Sequence, residues 1–347
     1  MNALRNEIQH LRGISILAVL SFHLFPNFFK NGYLGVDIFF VISGYLITNQ
    51  LLAMDSVSLG EYLKTFYFRR MKRIIPSAIS VLIVTLVAAY FILGIVTFVQ
   101  NLDGAKWANT FGANWYFLKE NLDYFATGNL QLFQHYWSLA IEEQFYLLWP
   151  LILFKSGRNR LIPSALFLTS LALFSISGYP ANFYNTFNRI WELLAGALLA
   201  IWRPAIEKKV TPWVSILLLA LVLLPISSPQ RASTFIVVIA TALFIAAARP
   251  TTIKGPLFYL GQISFTLYLV HYPVIRIYDE LNPSAAGISR LFTSILIIAT
   301  VSLAIYIFIE RPIRYRSYKN PVALIALLGA FLLIIQGIFF ALKGYYV

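Results

Sequence analysis

The chain has 347 residues, 59% of them hydrophobic and 12% charged, with a mean hydropathy of +0.73. So little charge cannot cover a soluble surface, and the chain is placed in a lipid bilayer. With no cysteine, disulfides, thiolate metal sites and a cysteine nucleophile are excluded; the net charge of +13 is read first as membrane topology, not as a nucleic-acid footprint.

Apolar stretches long enough to span predict helices near 11–28, 33–53, 76–99, 137–155, 161–178, 189–203, 213–227, 232–249, 261–278, 288–310 and 321–343. The fold class is therefore all-α, a polytopic transmembrane helical bundle of about eleven helices. The first stretch is long, carries Arg12 and His23 and lacks a small-residue cleavage site, so it reads as a span and not as a removable leader. With a cytoplasmic N-terminus, the inner side collects Arg5, the run Lys64, Arg69, Arg70, Lys72 and Arg73, and further basic groups at 155–160, 203–209, 249–254 and 311–319. The outer side receives Lys30, Lys106, Lys119, Arg189, Arg231, Arg276, Arg290 and Lys343. This asymmetry selects the N-terminus as cytoplasmic. Two connections are long: a basic cytoplasmic loop around 54–75, and an external aromatic and polar stretch over 100–136 suited to a short interfacial helix.

Arg12 and His23 are eleven residues apart in helix 1, so they share a helical face and lie roughly 16 Å apart along the axis. Ionisable groups inside membrane helices are costly and normally face a bundle interior. His23 can give or take a proton near neutral pH, and Arg12 can fix an anion. The plainer reading is an arginine reaching to headgroups and a histidine satisfied by a carbonyl. Asp37 in helix 2, Glu142 and Glu143 in helix 4, Arg189 and Glu192 in helix 6, and His271 in helix 9 are expected in the outer half with His23. Arg189 and Glu192 stand at the i,i+3 spacing of an ion pair. Convergence at one depth on five helices is the pattern of a buried site. The basic run offers an anion-docking face, although such runs also orient helices and bind anionic lipid.

Seven stretches, in order, carry a resemblance to a known family: LRGISILAVLSFH, GYLGVDIFFVISGYLI, FYFRRMKRIIP, HYWSLAIEEQFYLLWP, NRIWELLAGALLA, ISFTLYLVHYPV and IERPIR. Almost end to end, the chain resembles the acyltransferase 3 family of integral membrane O-acyltransferases that modify bacterial surface polysaccharides. Where members often carry an acidic residue and a glycine before Leu-Arg-Gly, this chain has Gln9 and His10. That weakens a role for a carboxylate there. The resemblance implies one membrane acyltransferase domain over 1–347, with a ten-helix core to about 318, an additional C-terminal helix at 321–343, and no appended esterase-like domain.

It further implies transfer of an acyl group, an acetyl group by preference, from cytoplasmic acyl-CoA to a hydroxyl of an extracytoplasmic or lipid-linked glycan in the bacterial cytoplasmic membrane. Acetyl-CoA would be a co-substrate; no permanently bound cofactor and no metal are expected. Arg69, Arg70 and Arg73 would hold the donor's phosphates. His23 would act as base or as acyl carrier, Glu142 or Glu143 would orient its imidazole, and Arg12 would hold the donor or shape its path. Asp37, Ser43, Trp137, Arg189, Glu192 and His271 would line the acceptor side. Gly35, Ser43 and Gly44 are small enough to let helices approach around a passage for the acyl arm. The competing reading is a lipid-linked sugar transporter or flippase, but the repeated halves common in transporters are not seen.

Overall fold

The computed structural model describes residues 6–54, 58–126, 130–202, 230–248, 251–283, 287–318 and 321–346. Every regular element among them is helical. In order they are α1 (Asn6–Leu24), α2 (Gly35–Leu52), α3 (Leu59–Ala88), α4 (Ile95–Asn109), α5 (Ala113–Lys119), α6 (Tyr136–Ser156) and α7 (Leu161–Ile176). After them come α8 (Ala181–Tyr184), α9 (Thr186–Trp202), α10 (Gln230–Ala247), α11 (Pro256–Leu281), α12 (Ile288–Ile305), α13 (Arg311–Tyr315) and α14 (Pro321–Tyr346). The span expected at 213–227 lies outside the described residues.

Two sequence expectations are corrected by the helix ends. Helix 1 is shifted towards the N-terminus, because Pro26 disfavours helical geometry at Phe25 and the helix ends at Leu24. His23 therefore occupies the last turn of α1, and Arg12 its second turn. The basic run is not a loop. Ser58 accepts a hydrogen bond from the Glu61 amide at 3.3 Å, the Ser-x-x-Glu start of a helix that continues unbroken through the arginines and Pro76 to Ala88. The external stretch likewise holds more structure than expected, with α4 entering it and α5 within it.

Among the described residues, five segments are long and apolar enough to cross a bilayer: Gly32–Leu52, Leu59–Leu93, Gln230–Ala247, Ile288–Tyr315 and Val322–Tyr345. Leu59–Leu93, Ile288–Tyr315 and Val322–Tyr345 each keep one face bare of protein. Phe91, Phe308 and Leu333 are each more than 70% exposed (78%, 77% and 74%), as lipid-facing side chains are.

The chain divides into two compact units, Met1–Asp55 with Phe145–Phe265, and Ser56–Gln144 with Thr266–Val347. In the first, α2 packs along α9, α9 on α7, and α1 on α2. Small residues permit this. A Cβ on Gly44 would fall 1.8 Å from the Leu193 carbonyl oxygen, and one on Gly196 would fall 2.0 Å from that of Val41, so α2 and α9 touch backbone to backbone. Gly13 and Gly261 do the same for α1 and α11, against Leu257 and Gln9. In the second unit α3, α4 and α14 pack together. Lys343 pairs with Asp103 at 2.7 Å and the Asn109 amide donates to the Leu332 carbonyl at 3.1 Å, tying α14 to α4.

Candidate active site

The first unit brings three of the expected residues into contact. Arg189 of α9 is buried, donates to the Asp37 carboxylate of α2, and holds Glu192 one turn along α9, with Nε 2.8 Å from Oε1. The rings of Phe183 and Phe40 flank its guanidinium at 5.5 and 5.8 Å. The i,i+3 pair was readable from spacing; the recruitment of Asp37 required the close α2–α9 packing that Gly44 and Gly196 allow.

Arg12 is also buried, donating from Nε and Nη2 to Ser264 Oγ at 3.1 and 2.7 Å. Ser264 in turn donates to the Gly261 carbonyl at 2.9 Å. Arg12 is thus anchored where α1 and α11 cross. His23 is half-buried in the last turn of α1, with the Phe22 ring edge-on at 4.8 Å. Ser43 and Tyr146 share a hydroxyl–hydroxyl bond, and Trp149 Nε1 donates to Thr48 at 2.8 Å.

In the second unit the helical phase of α3 separates the arginines. Phe66, Arg70, Arg73 and Ser77 recur at spacings of three and four on its inward face, whereas Arg69 points out and is exposed. Because these residues ride on a continuous helix, Arg73 lies about 21 Å along it from Leu59. That brings Arg70 and Arg73 within electrostatic reach of Glu143, which Glu142 also faces. The expectation that the basic run and these two glutamates occupy opposite membrane levels is corrected accordingly. Glu143 Oε1 is enclosed and accepts no hydrogen bond among the described residues. Gln144, next in sequence, donates to the Phe111 carbonyl at 2.8 Å and to Asn114 at 2.9 Å while accepting from Trp115 Nε1 at 3.1 Å, which ties α6 to α5. Outside the spans, burial with Asp103 and Glu120 nearby pushes the Tyr116 phenol up to about 12.

The sequence reading passed over His135. It is fully buried, with Nε2 2.9 Å from the Leu269 carbonyl of α11, and its ring lies 5.8 Å from that of His271 and 5.0 Å from that of Tyr272. His271, equally buried, donates from Nδ1 to the Tyr268 carbonyl at 2.6 Å. The Tyr268 hydroxyl donates to the His135 carbonyl at 2.9 Å and bonds Ser138 at 2.7 Å. Trp137 is buried beside them, with Tyr124 at 6.2 Å. Glu310 of the IERPIR stretch, also buried, accepts from Thr266 and pairs with Arg314 at 3.0 Å.

A bundle of apolar helices holding buried arginines, carboxylates and imidazoles defines an integral membrane protein with polar chemistry inside its spans. A family model described as an acyltransferase domain matches residues 5–309. The chain belongs to that family, acyltransferase 3. It is 32% identical to the peptidoglycan O-acetyltransferase OatA of Listeria monocytogenes, over 90% of this chain and 56% of that protein. It is also 32% identical to the O-acetyltransferase OatA of Staphylococcus aureus, over 89% of this chain and 57% of that protein. The chain thus spans a little over half the length of these relatives. No solved structure matches it.

Proposed function

We propose that this protein is a membrane O-acetyltransferase that moves an acetyl group from cytoplasmic acetyl-CoA to a hydroxyl of an extracytoplasmic glycan in a bacterial cytoplasmic membrane. The observation that carries the reading is the acyltransferase match over 5–309, supported by two relatives named as O-acetyltransferases, one of them of peptidoglycan. Peptidoglycan, or a lipid-linked precursor glycan, is the acceptor proposed.

In this reading Arg70 and Arg73 hold the anionic end of the donor, with Arg69 outside the binding face. His23 takes the acceptor's hydroxyl proton as the oxygen bonds to the thioester carbonyl carbon; the carbon–sulfur bond breaks and coenzyme A leaves as the thiol. The alternative sequence uses the same atoms in two steps. The imidazole nitrogen first displaces coenzyme A to give an acyl-imidazole, and the hydroxyl then displaces the imidazole. Either sequence uses the His23 ring in the last turn of α1 and passes through its imidazolium. Arg12 fixes α1 through Ser264, and Asp37, Arg189 and Glu192 keep α2 and α9 in register.

The test is direct. Purified protein in lipid nanodiscs, given labelled acetyl-CoA and soluble peptidoglycan fragments, should transfer label to the glycan as a base-labile ester. Absence of transfer to any glycan, together with movement of a labelled lipid-linked sugar across the bilayer, would replace this reading with a transporter.

A further inference from the structure

In the second unit the chain turns back on itself between α4 and α5. Asp103 of α4 pairs with Lys343 near the end of α14, and Lys106 Nζ lies 4.3 Å from the centre of the Phe340 ring. Asn109 donates to Gln336 Oε1 at 3.3 Å and to the Leu332 carbonyl at 3.1 Å. Moving forward along α4 is therefore moving back along α14, and Asn109 ends opposite the middle of the Val322–Tyr345 span. After the turn at 110–112, α5 returns beside α4, with the Tyr116 ring stacked on that of Trp107 at 6.4 Å. The pair is a hairpin whose tip lies at mid-span depth, where irregular backbone needs polar partners from protein. Gln144 of α6 supplies them. Its amide donates to the Phe111 carbonyl and to Asn114, and its oxygen accepts from Trp115 Nε1. Phe111 has a φ of +53°, uncommon for a bulky residue, and its carbonyl is the one that Gln144 holds.

Glu143 precedes Gln144 in the same helix. The Tyr136 hydroxyl donates to the Ala78 carbonyl at 2.8 Å, which sets the start of α6 against α3. Glu143 stands about 10 Å further along α6, and Arg73 and Arg70 stand about 8 to 12 Å back along α3 from Ala78. Both arginines act electrostatically on Glu143, so the two helices run in opposite senses and the three groups are level. Glu143 is half-buried, and no described residue donates a hydrogen bond to it. An ionised carboxylate only accepts. Here an acceptor without a donor stands level with two cations. A ligand that serves all three carries phosphates followed directly by neutral O–H and N–H groups. Coenzyme A has that order, since the hydroxyl and first amide of its pantetheine arm follow the diphosphate within a few bonds.

We propose that Glu143 binds the pantetheine arm of the donor just beyond the phosphates held by Arg70 and Arg73, and that Gln144, locked to the tip of the α4–α5 hairpin, is the residue that positions it. The assignment rests on the proposed function. It makes donor recognition depend on Asn114 and Trp115, in a stretch that the sequence alone places outside the membrane.

The test compares two ligands of the purified full chain in lipid nanodiscs: acetyl-CoA, and adenosine 3′-phosphate 5′-diphosphate, which carries the phosphates without the arm. Their affinity ratio reports the arm alone, because changes in attraction to phosphate cancel. Glu143→Leu should lower the ratio about tenfold or more, the loss expected for a hydrogen bond to a charged group. Gln144→Leu should lower it about as much, and the two together no further, since both act on one contact. Arg70→Gln with Arg73→Gln should weaken both ligands and leave the ratio unchanged. Trp115→Phe, which removes only the indole N–H that Gln144 accepts, should lower the ratio about threefold, and it decides the matter where Gln144→Leu fails to fold. An unchanged ratio in folded Glu143→Leu overturns the arm contact; an unchanged ratio in folded Gln144→Leu, or in Trp115→Phe where that variant is needed, overturns the positioning role. Failure of the unaltered protein to bind acetyl-CoA at all would refute the donor reading itself, and this proposal with it.

Discussion

The imidazole of His135 donates to the carbonyl of Leu269, the carbonyl whose helical partner Pro273 cannot supply. In an unbroken helix the amide four residues on would close that bond, but proline has no N–H. A carbonyl only accepts, so Nε2 carries the proton and the tautomer of this buried histidine is fixed. The second unit thus repairs the broken turn of α11 from outside the helix.

His135→Ala should cost about 1–3 kcal/mol of stability, because it leaves a buried carbonyl unserved. In a Pro273→Ala background, where the helix regains its own donor, the same substitution should cost clearly less. Thermal unfolding in detergent of the two single variants and the double variant measures this coupling. Additive losses would mean that His135 does not serve Leu269.

The Asp37–Arg189–Glu192 cluster behaves as a buried ion network. Asp37→Leu should destabilise the protein by about 3–5 kcal/mol, since it strands part of the charge of a buried guanidinium. Combining Asp37→Leu with Arg189→Met should recover part of that loss, because the buried guanidinium goes with its partner. The folded fraction after solubilisation is the readout, and a double variant worse than the sum of the singles would contradict the network.

Gly44→Leu should abolish folded protein, and not merely slow transfer, because its Cβ would meet the Leu193 backbone at 1.8 Å. The sequence reading expected Gly44 to let helices approach closely, and its contact with the Leu193 backbone is such an approach. Fluorescence-detected size exclusion distinguishes the outcomes, and a well-folded Gly44→Leu protein would refute the packing role.

On the donor side, Arg70→Gln with Arg73→Gln should weaken acetyl-CoA binding far more than Arg69→Gln, because only the first two lie on the inward face of α3. The difference should shrink as salt rises, since screening weakens charge attraction to phosphate. Equilibrium binding of labelled acetyl-CoA at low and high ionic strength tests this. Equal losses at all three positions would restore the picture of an unstructured basic loop.

Much of this was legible in the sequence, for identifiable reasons. Apolar length announced the spans, and the i,i+3 spacing announced Arg189 with Glu192. The helical basic run was hidden by its own charge density, which argues against a span, while the Ser58-to-Glu61 capping signal was overlooked. His135 was missed because it precedes its helix and its value depends on Pro273, far along the chain. The usable clue was the proline inside FTLYLVHYP, which implies an orphaned carbonyl four residues earlier and hence a buried donor elsewhere. The partner of Arg12, Ser264, is 252 residues away, beyond any local pattern.

The central claim is that acyl transfer depends on the His23 imidazole. It is tested most directly by reconstituting the unaltered protein and His23→Ala side by side with labelled acetyl-CoA and a peptidoglycan-fragment acceptor. His23→Ala should fold, bind acetyl-CoA normally and transfer label at least about a hundredfold more slowly, the range a positioned general base contributes. A folded His23→Ala protein that acetylates the glycan at a near-normal rate would contradict it.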